Sequence, residues 1–530
     1  MNEKLVLLIL ISSLLVVSAR ANSYADVTVS EAKTMIDSDH SLVVLDVRTQ
    51  SEYDDGHIRN AKLIPHTELE GRLNELNKTD KILVYCRTGV RSSNASQILV
   101  DNGFMYVYNM LGGITAWIDE EYPVYVKYSL IQEAINNANE GDAIYVSSGT
   151  YSENVVVNKS LTLIGENRSN TIIDGNKTGI VILATANSIT IRDFTVKNGN
   201  TGIYVDHSNF SLLIENDVIH NVDAIFVRFS NNCTIYQNLA ANNTHRGVLI
   251  TNSWNFTVRD NYVYGSGWYG INANASINGL IAQNNVYENY YDGIGLLNSS
   301  NCTIAGNDVN DNVLFGIWLD SSDDNFIYHN NLINNGIQAK TFPSTNVWDD
   351  GVEGNYWSNY TGVDLYGGGD GIGDSPHVID EYNTDRFPAM GPIRFFNAGT
   401  WDEATYYVHT ISNSTVSDFY FSEEGKLISF NVTELDETVG FCRVAIPREL
   451  LYCENPEDWI VLVNDMPPVH YGIIENGNYT YIHFTYSHST KTVEIKGTYV
   501  IPEFPNALIM SLFMISTLLT VIAYRRKHSV

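Results

Sequence analysis

The segment Cys233-Thr-Ile-Tyr-Gln-Asn238 returns 69 residues later as Cys302-Thr-Ile-Ala-Gly-Asn307. Around both segments, a Gly-Ile pair or a close variant recurs at spacings of 22, 23, 23, 23, 23 and 20 residues. The pairs are Gly202-Ile203, Ala224-Ile225, Gly247-Val248, Gly270-Ile271, Gly293-Ile294, Gly316-Ile317 and Gly336-Ile337. Self-similarity at a fixed period of this length is typical of stacked structural units that share one continuous core.

Each repeat unit predicts short strands and tight turns rather than a helix. Ile, Val, Phe and Tyr alternate with polar residues and are interrupted by Asn and Gly, a pattern that favours strands separated by turns. The repeats between Asn187 and about Gln338 therefore predict a parallel β-helix with one coil per repeat. An asparagine series runs through them and is interpreted as stacked side-chain amides that satisfy the turn backbone. Its members are Asn216, Asn238, Asn261, Asn284, Asn307 and Asn330.

The repeats and their flanks resemble the right-handed β-helices of the pectin-lyase-like superfamily, and among these the NosD-type periplasmic copper-binding repeat proteins. The motifs that carry the resemblance are Ile131-Gln-Glu-Ala-Ile135, Gly141-Asp142, Gly149-Thr-Tyr-Ser-Glu153, Asn355-Tyr-Trp-Ser-Asn-Tyr360, Gly371-Ile-Gly-Asp374 and Val378-Ile-Asp380. The resemblance implies a β-helix over residues 128–393, and Ile131–Ala138 predicts a small helix that caps its open end. It specifies the fold rather than an activity, because β-helices host enzymes, binding proteins and inert spacers.

Composition and the N-terminus predict an exported protein. The chain has 530 residues and a formal net charge of −30, which leaves room for three or four domains and excludes a nucleic-acid partner. Leu5–Val17 is an apolar run followed by small residues, which predicts a secretory signal peptide at residues 1–21. Abundant Asn-X-Ser/Thr sequons, among them Asn77 and Asn232, are those of an exported glycoprotein.

The C-terminus predicts a membrane anchor. Residues 506–524 are free of charge and mostly apolar, and the basic cluster Arg525-Arg526-Lys527 that follows predicts a transmembrane helix with its tail inside. The preceding Ile501-Pro-Glu-Phe-Pro505 resembles the PEF sorting tails of archaeal surface proteins. Residues 501–528 are therefore interpreted as a sorting motif and anchor, with retention or removal of the helix left open.

Residues 24–124 alternate between strands and helices. Leu42–Asp46 and Ile82–Tyr85 predict buried strands, and Ser92–Val100 predicts an amphipathic helix. The segment between the second strand and this helix contains Cys86, where loop amides and the helix N-terminus lower a thiol pKa and stabilise a thiolate or persulfide anion. Arg87 and Arg91 add positive charge for a sulfur-oxyanion donor.

This segment resembles a single-domain rhodanese along its whole length. The motifs are Asp46-Val-Arg48, Glu52-Tyr53, Gly56-His57-Ile58, Ala61, Ile64-Pro65, the Cys86 loop, Gly103-Phe104 and Leu111-Gly112-Gly113-Ile114 with Trp117. The resemblance implies a sulfurtransferase in which Cys86 takes sulfane sulfur from a donor such as thiosulfate and passes it to a thiol or cyanide-like acceptor, with no cofactor. It assigns Arg87, Thr88, Gly89, Val90 and Arg91 to the substrate-binding loop, and it implies that Asp46 and Arg48 brace that loop, while Gly56 and His57 serve the fold. Because no flexible linker follows residues 122–127, this domain is expected to pack against the first coils.

Two alternatives remain for this segment. Phosphatases of related fold place an arginine six residues after the cysteine, whereas Arg91 lies five residues after Cys86, and the smaller loop favours sulfur over phosphate. The second alternative is an inactive rhodanese module used for contacts. Retention of Cys86 with both arginines favours catalysis, because thiol activation depends on the particular site.

The β-helix offers weaker candidates. Its histidines show no repeated register, so residues such as His207, His220, His245 and His329 do not predict a copper or zinc site. Exposed aromatic residues predict a sugar-stacking face for a cell-surface glycan. They are Trp254, Trp268, Tyr269, Tyr290, Tyr291 and Trp318.

A glycine-rich loop follows the repeats and contains Asp364, Asp370 and Asp374. Carboxylates separated by glycines are calcium ligands in many loops, so these residues form a candidate Ca²⁺ site, with a plain terminating turn as the alternative. Residues 394–500 then show alternating strands typical of a small β-sandwich stalk. Cys442 and Cys453 in this domain are a candidate disulfide, which an exported location permits, whereas Cys233 and Cys302 are predicted to be buried packing residues.

The sequence therefore predicts an exported, membrane-anchored sulfurtransferase. Two alternatives stay open. In the first, the β-helix is a surface carbohydrate-binding or scaffold protein with an accessory rhodanese module. In the second, the chain handles copper, as its resemblance to the NosD-type repeats implies.

Overall fold

The computed structural model describes residues 23–365, 369–401, 404–435 and 438–500. The chain divides into two compact units, residues 1–224 and 225–530. The predicted signal peptide at residues 1–21 and the predicted anchor at 501–528 lie outside the described residues. Within the described ranges, no helix combines the length and apolar character needed to cross a membrane.

The first unit begins with a five-stranded parallel sheet, which confirms the predicted α/β domain. Its strands β1 to β5 are Ala25–Val27, Val43–Asp46, Lys62–Leu63, Lys81–Tyr85 and Tyr106–Met110, and their order in the sheet is β1-β5-β4-β2-β3. The helices α1 to α4 are Val29–Ser38, Gln50–Asp54, Val90–Asp101 and Gly113–Asp119, and Leu69–Glu75 is a 3₁₀ helix. Buried apolar residues of the sheet pack against the helices in two clusters. One cluster includes Leu99 of α3, and the other includes Ala32 of α1 and Trp117 of α4.

The linker between this domain and the first coils pairs with both. The backbone of Tyr125 exchanges two hydrogen bonds with that of His57, with N···O distances of 3.1 and 2.9 Å. The next residue, Val126, donates to the carbonyl of Tyr145 and accepts from the amide of Ser147. The linker therefore bonds to both parts through two isolated β-bridges, and the expected packing of the α/β domain against the first coils is confirmed.

The rest of the first unit is a parallel β-solenoid that begins with the predicted capping helix, α5 (Ile131–Asn137). Strands β6 to β16 are Ala143–Val146, Gly149–Tyr151, Val155–Val157, Thr162–Gly165, Thr171–Asp174, Ile180–Ala184, Thr190–Arg192, Thr195–Lys197, Thr201–Asp206, Leu212–Ile214 and Asp217–Ile219. Every third strand pairs in parallel, so that Ile144, Leu163, Ile191 and Leu213 stack in register inside the coils. Strand β17, Asp223–Arg228, spans the division between the units.

The second unit contains further coils with the same parallel pairing. Strands β18 to β33 are Thr234–Tyr236, Leu239–Ala241, Arg246–Thr251, Thr257–Arg259, Tyr262–Tyr264, Ile271–Asn274, Leu280–Ala282, Asn285–Tyr287, Asp292–Leu297, Thr303–Ala305, Asp308–Asn310, Phe315–Asp320, Phe326–Tyr328, Asn331–Ile333, Ile337–Phe342 and Tyr356–Trp357. Ile235, Val258, Ile281, Ile304 and Ile327 form one buried apolar stack. The predicted β-helix architecture is confirmed in both units.

The asparagine ladder is confirmed as a hydrogen-bonded structure. The side-chain oxygen of Asn284 accepts from the backbone and side-chain amides of Asn261, at 3.0 and 2.9 Å. Its side-chain nitrogen donates to the Val258 carbonyl (2.8 Å) and to Oδ1 of Asn307 (2.9 Å), one coil further on. Each buried amide therefore satisfies backbone groups of its neighbours that would otherwise be buried without partners.

A β-hairpin and the predicted β-sandwich complete the second unit. The hairpin strands, β34 and β35, are His377–Val378 and Thr384–Asp385. Strands β36 to β46 are Ile393–Trp401, Ala404–Ser412, Thr415–Ser422, Leu427–Thr433, Val439–Pro447, Leu451–Tyr452, Ile460–Val463, His470–Glu475, Tyr479–Ser487, Lys491–Lys496 and Tyr499–Val500, and Pro456–Asp458 is a 3₁₀ turn. The two main antiparallel sheets, in the orders β36-β37-β40-β44-β43 and β38-β39-β45-β42, share one apolar core that includes Val444 and Phe430.

The cysteines of the sandwich do not form the predicted disulfide. Cys442 lies on β40 and Cys453 follows β41, and both are free thiols buried in the shared core of the sandwich. Each sulfur packs there as a small apolar group. Cys233 and Cys302 are also buried, as predicted.

We expect Asn284→Ala to lower the free energy of unfolding by roughly 2–4 kcal/mol, because it leaves buried polar groups on both neighbouring coils without partners. The matched control is Asn285→Ala, since Asn285 is the next residue on the chain and is only half-buried. Denaturant unfolding monitored by circular dichroism measures both variants. Equal loss in the two variants would contradict a structural role for the ladder.

Candidate functional site

Cys86 lies at the carboxyl end of β4, in the turn that leads into α3. Tyr85 and Cys86 are buried, with Cys86 only 1% exposed, whereas Arg87, Thr88 and Val90 are exposed. Gly89 precedes α3 with a φ of +96°, a conformation that favours glycine and that turns the chain into the helix. The sulfur therefore lies at the base of a short loop, facing the N-terminus of a 12-residue helix.

Backbone amides of this loop surround the sulfur. The Gly89 N–H donates to Sγ of Cys86 at 3.2 Å. Burial raises the pKa of the Cys86 thiol, but hydrogen bonds from the side chain and amide of Ser92 and from the amides of Thr88 and Gly89 outweigh it, so the net pKa is lowered. The arrangement favours an anionic sulfur, either a thiolate or a terminal persulfide, because amide donors stabilise negative charge at this position.

A second turn, at the start of α4, is hydrogen-bonded to the backbone of the cysteine loop. The amides of Ile114 and Thr115 donate to the carbonyl oxygens of Cys86 (2.8 Å) and Arg87 (3.1 Å). Gly113 has a φ of +59°, and a Cβ at this position would lie 2.4 Å from the Cys86 oxygen and 2.6 Å from that of Arg87. Only a hydrogen atom fits between the two segments. Gly113 therefore allows the backbone of the cysteine loop to pack directly against the start of α4.

Asp46 and Arg48, to which the rhodanese resemblance assigns the bracing of the loop, form a buried pair beside β4. The Arg48 guanidinium donates to both carboxylate oxygens of Asp46, at 2.6 to 3.0 Å, and to the carbonyl of Gly56 at 2.7 Å. Its guanidinium also lies 5.5 Å from the ring centroid of Tyr85, the residue before Cys86. The pair therefore fixes the end of the strand from which the loop starts.

The two loop arginines differ in their surroundings. Arg91 forms a two-point ion pair with Glu52, with N···O distances of 2.9 and 2.6 Å, and its guanidinium lowers the pKa of Glu52 to about 2. Arg87 is exposed. Both arginines were predicted to face the sulfur-oxyanion donor, and Glu52 was not predicted as a partner of Arg91. Glu52 holds Arg91 beside the loop, and Arg87 is left as the more accessible cation.

Comparison with known proteins agrees with this geometry. The family described as "Rhodanese-like domain" matches residues 28–120, and the family described as "Periplasmic copper-binding protein (NosD)" matches residues 135–362. Thiosulfate sulfurtransferase 18 from Arabidopsis thaliana is 39% identical over 121 residues, which cover 20% of this chain and 88% of that protein. The chain belongs to the rhodanese-like family.

Other relatives match the same rhodanese segment. YrkF from Bacillus subtilis (strain 168) is 39% identical over 100 residues, and the chain spans 54% of its length. A solved structure of a rhodanese-related protein from Thermoplasma volcanium is 34% identical and is covered over its full length, with a TM-score of 0.18 and 20% coverage of this chain. The two sequence relatives cover a fifth of this chain or less, so they bear on the rhodanese domain and not on the rest of the chain.

The rhodanese domain is joined to the first coils through buried charge. Nε2 of His57 lies 2.9 Å from Oε1 of Glu166, and both side chains are almost fully buried. The same carboxylate accepts from the amides of Asn60 and Ser148, each at 2.8 Å. Burial raises the pKa of Glu166, but the contacts with His57 and these amides outweigh it and lower the pKa. His57 was predicted to serve the fold, and it lies at this junction.

The predicted calcium loop uses its carboxylates within the loop. Asp364 accepts from the amides of Asp370 (3.3 Å) and Gly371 (2.8 Å), and Asp374 accepts from the amide of Leu365 (2.6 Å). Calcium at Asp364, Asp370 and Asp374 stays a prediction. Among the described residues, the side chains that group as metal ligands are instead His329, Glu353 and His409.

We expect Gly113→Ala to abolish sulfur transfer at Cys86, because the new methyl group would displace the cysteine loop. The matched control is Gly71→Ala, since a Cβ at Gly71 meets no atom within 4 Å. Persulfide formation is measured by intact mass spectrometry after incubation with thiosulfate. Normal loading of the Gly113 variant would show that the loop tolerates the shift and that its position is not critical.

Proposed function

We propose that the chain is an exported sulfurtransferase that carries sulfane sulfur as a persulfide on Cys86. The observation that carries the proposal is the position of the Cys86 sulfur beneath the backbone amides at the start of α3, which lower its pKa. Relatives named thiosulfate sulfurtransferase support thiosulfate as the donor, among them the 37% identical GlpE from Coxiella burnetii. The proposed acceptor is a small thiol.

The proposed reaction has two displacements at sulfur. The Cys86 thiolate attacks the outer sulfur of thiosulfate, the S–S bond of the donor breaks, and sulfite leaves with the bonding pair. The product is a Cys86 persulfide whose terminal sulfur carries the negative charge. An acceptor thiolate then attacks this terminal sulfur, which forms an acceptor persulfide and returns Cys86 as the thiolate. Arg87 is the cation proposed to attract the dianionic donor.

The amides around Sγ are proposed to stabilise both anionic states of Cys86, the thiolate and the persulfide. They stabilise the attacking thiolate, and the same donors can reach an anionic terminal sulfur held above Cys86. The two-point pair between Arg91 and Glu52 keeps a cation beside the loop without leaving it free to bind the leaving sulfite. The loop is therefore suited to transfer of a sulfur atom rather than to retention of an oxyanion.

Export and anchoring are part of the proposal. The predicted signal peptide at residues 1–21 and the predicted anchor at 501–528 support a location outside the cytoplasm, with a single helix in the membrane. The description of the NosD family as periplasmic supports the same location.

The test is persulfide formation on the full chain. After incubation with thiosulfate, we expect a mass increase of about 32 Da, one sulfur atom, that a thiol acceptor removes. Cys86→Ser should remove the adduct, and the matched control Cys302→Ser should retain it, because Cys302 is buried and its pKa is raised by burial to about 11. The initial loading rate should rise with the fraction of Cys86 that is thiolate. Because the pKa of Cys86 is lowered, the rate should level off at a lower pH than it would for a free cysteine, whose pKa is about 8.5. An adduct that persists in Cys86→Ser, or no adduct, would overturn the proposal.

A second proposed function concerns the aromatic surface of the second unit. Trp268, Tyr290 and Tyr291 are 39%, 62% and 41% exposed, and Tyr269 lies parallel to Trp318 with ring centroids 6.5 Å apart. Next to Tyr291 is Asp292, a buried carboxyl group whose Oδ1 has no hydrogen-bond partner and whose pKa burial raises to about 7. Aromatic faces beside a polar group are what a glycan requires, so we propose a cell-surface glycan as the ligand.

A glycan array probed with the full chain tests this second function. Trp268→Ala should lower binding to the recognised glycan at least tenfold, because it removes a stacking face worth about 1.4 kcal/mol or more. Tyr420→Ala is the matched control, since Tyr420 is 60% exposed but lies on β38 of the sandwich, outside this aromatic surface. A blank array, or equal effects of the two variants, would contradict the assignment.

A further inference from the structure

Three side chains that lie far apart in sequence meet inside the second unit. His329 follows β30, Glu353 lies in the loop before β33, and His409 is on β37 of the sandwich. They are 8%, 0% and 4% exposed, and their nearest nitrogen and oxygen atoms all lie within 4.8 Å of one another. His409 lies outside residues 135–362, so the NosD-type match does not contain this cluster.

One carboxylate oxygen faces both imidazoles. Oε2 of Glu353 lies 2.7 Å from Nε2 of His409 and 3.2 Å from Nε2 of His329. The contact with His409 is a hydrogen bond. Nε2 of His329 is also buried, and it faces the same oxygen without the geometry of a hydrogen bond. A buried imidazole nitrogen that lacks a well-directed hydrogen bond is costly, and its presence requires an explanation.

A second carboxylate lies at the edge of the cluster. Oδ2 of Asp350 is 3.5 Å from Nε2 of His329, and this side chain is 29% exposed. Its other oxygen accepts from the amides of Val352 and Glu353, which fixes the carboxylate in place. Asp350 therefore links the buried group to solvent and offers a route of entry for a small ion.

Arg443 determines the orientation of Glu353. Its Nε donates to Oε1, the oxygen that faces away from the histidines, and its guanidinium lies 4.5 Å from the ring centroid of Tyr481. Nη1 of Arg443 donates to the carbonyl of Asp370 at 3.2 Å, so the arginine is held from several directions. With Oε1 occupied, Oε2 remains directed at the two imidazoles. Outer partners of this kind orient ligating carboxylates in metal sites.

We propose that His329, Glu353 and His409 bind one divalent transition-metal ion, with Asp350 as the fourth ligand. Two imidazoles and a carboxylate suit ions of intermediate softness, such as Zn²⁺ and Cu²⁺. Ligands about 2.0–2.2 Å from a tetrahedral ion lie about 3.3 Å apart, close to the separations of Nε2 of His329 from the two carboxylates. The alternative is a buried ion-pair network. In that network the His329 nitrogen faces two carboxylates, at 3.2 and 3.5 Å, without a well-directed hydrogen bond to either, whereas a metal ion would be bound by all of these groups.

The bound ion would join two parts of the second unit. His329 belongs to the last coils of the solenoid and His409 to the first sheet of the sandwich, so one ion would cross-link them. Because the ion binds the folded arrangement and not the unfolded chain, it should stabilise the unit in proportion to the logarithm of its concentration over its Kd. The role proposed here is therefore structural.

The test uses the untagged full chain carrying Cys86→Ser, so that the reactive thiol does not bind metal. After treatment with a chelator, Zn²⁺ and, in a separate arm, Cu²⁺ are titrated against a chromophoric competitor, and thermal unfolding is followed with and without metal. We expect one ion per chain and a higher melting temperature with metal. His329→Gln and His409→Gln should each weaken binding by about 100-fold. His470→Gln is the matched control, since His470 is exposed on β43 of the same sandwich, and it should bind as the parent does.

Several results would overturn the proposal. These are no binding of either metal by the parent chain, or binding that His329→Gln leaves unchanged. Circular dichroism of the metal-free variants establishes that they fold. If both glutamine variants unfold, the parent chain is loaded with Co²⁺ instead. A visible absorption band of a four-coordinate site, removed by Zn²⁺, would then support the proposal, and its absence would overturn it.

Discussion

In a parallel β-solenoid, the buried backbone N–H and C=O groups at the turns between strands need hydrogen-bond partners. In the second unit, buried asparagine side chains supply them. Each amide bonds to its counterpart one coil away and to the backbone of the preceding coil, so no corner is satisfied by its own residues alone. Stability is thereby shared among neighbours, as in other repeat proteins. The same regular stack presents Tyr269 and Trp318 as parallel rings and brings His329 to the face that meets the sandwich.

The sequence predicts features that are local or periodic. The solenoid follows from a repeat length that varies little, and the asparagine ladder follows from one polar residue type at a fixed position in each repeat. The thiolate environment of Cys86 also follows, because the strand end, the glycine turn and the helix N-terminus are continuous in the chain. In each of these cases the residues that make the contact are already neighbours in sequence, or are related by one constant spacing.

Contacts between distant residues could not be predicted in this way. Glu52 and Arg91 are 39 residues apart, and His57 and Glu166 are 109 residues apart. His409 and Glu353 come from the sandwich and from a loop after the repeats, so no register of the β-helix relates them. In the candidate calcium loop, neighbouring residues suggested a site that the contacts do not require. Its aspartates have the composition of a cation site, yet their carboxylates accept hydrogen bonds from amides of the same loop. Composition indicates which groups are present, but only the folded chain determines which bonds they make.

The burial of the remaining thiols bears on how a chain can carry reactive sulfur. A persulfide is itself an oxidant toward other thiolates, and any accessible cysteine would intercept it as a mixed disulfide. Burial raises the pKa of Cys302 to about 11 and also raises the pKa of Cys442 and Cys453, so these sulfurs stay protonated and out of reach. These three thiols therefore do not compete with the external acceptor for the sulfur on Cys86, and the persulfide does not react with them.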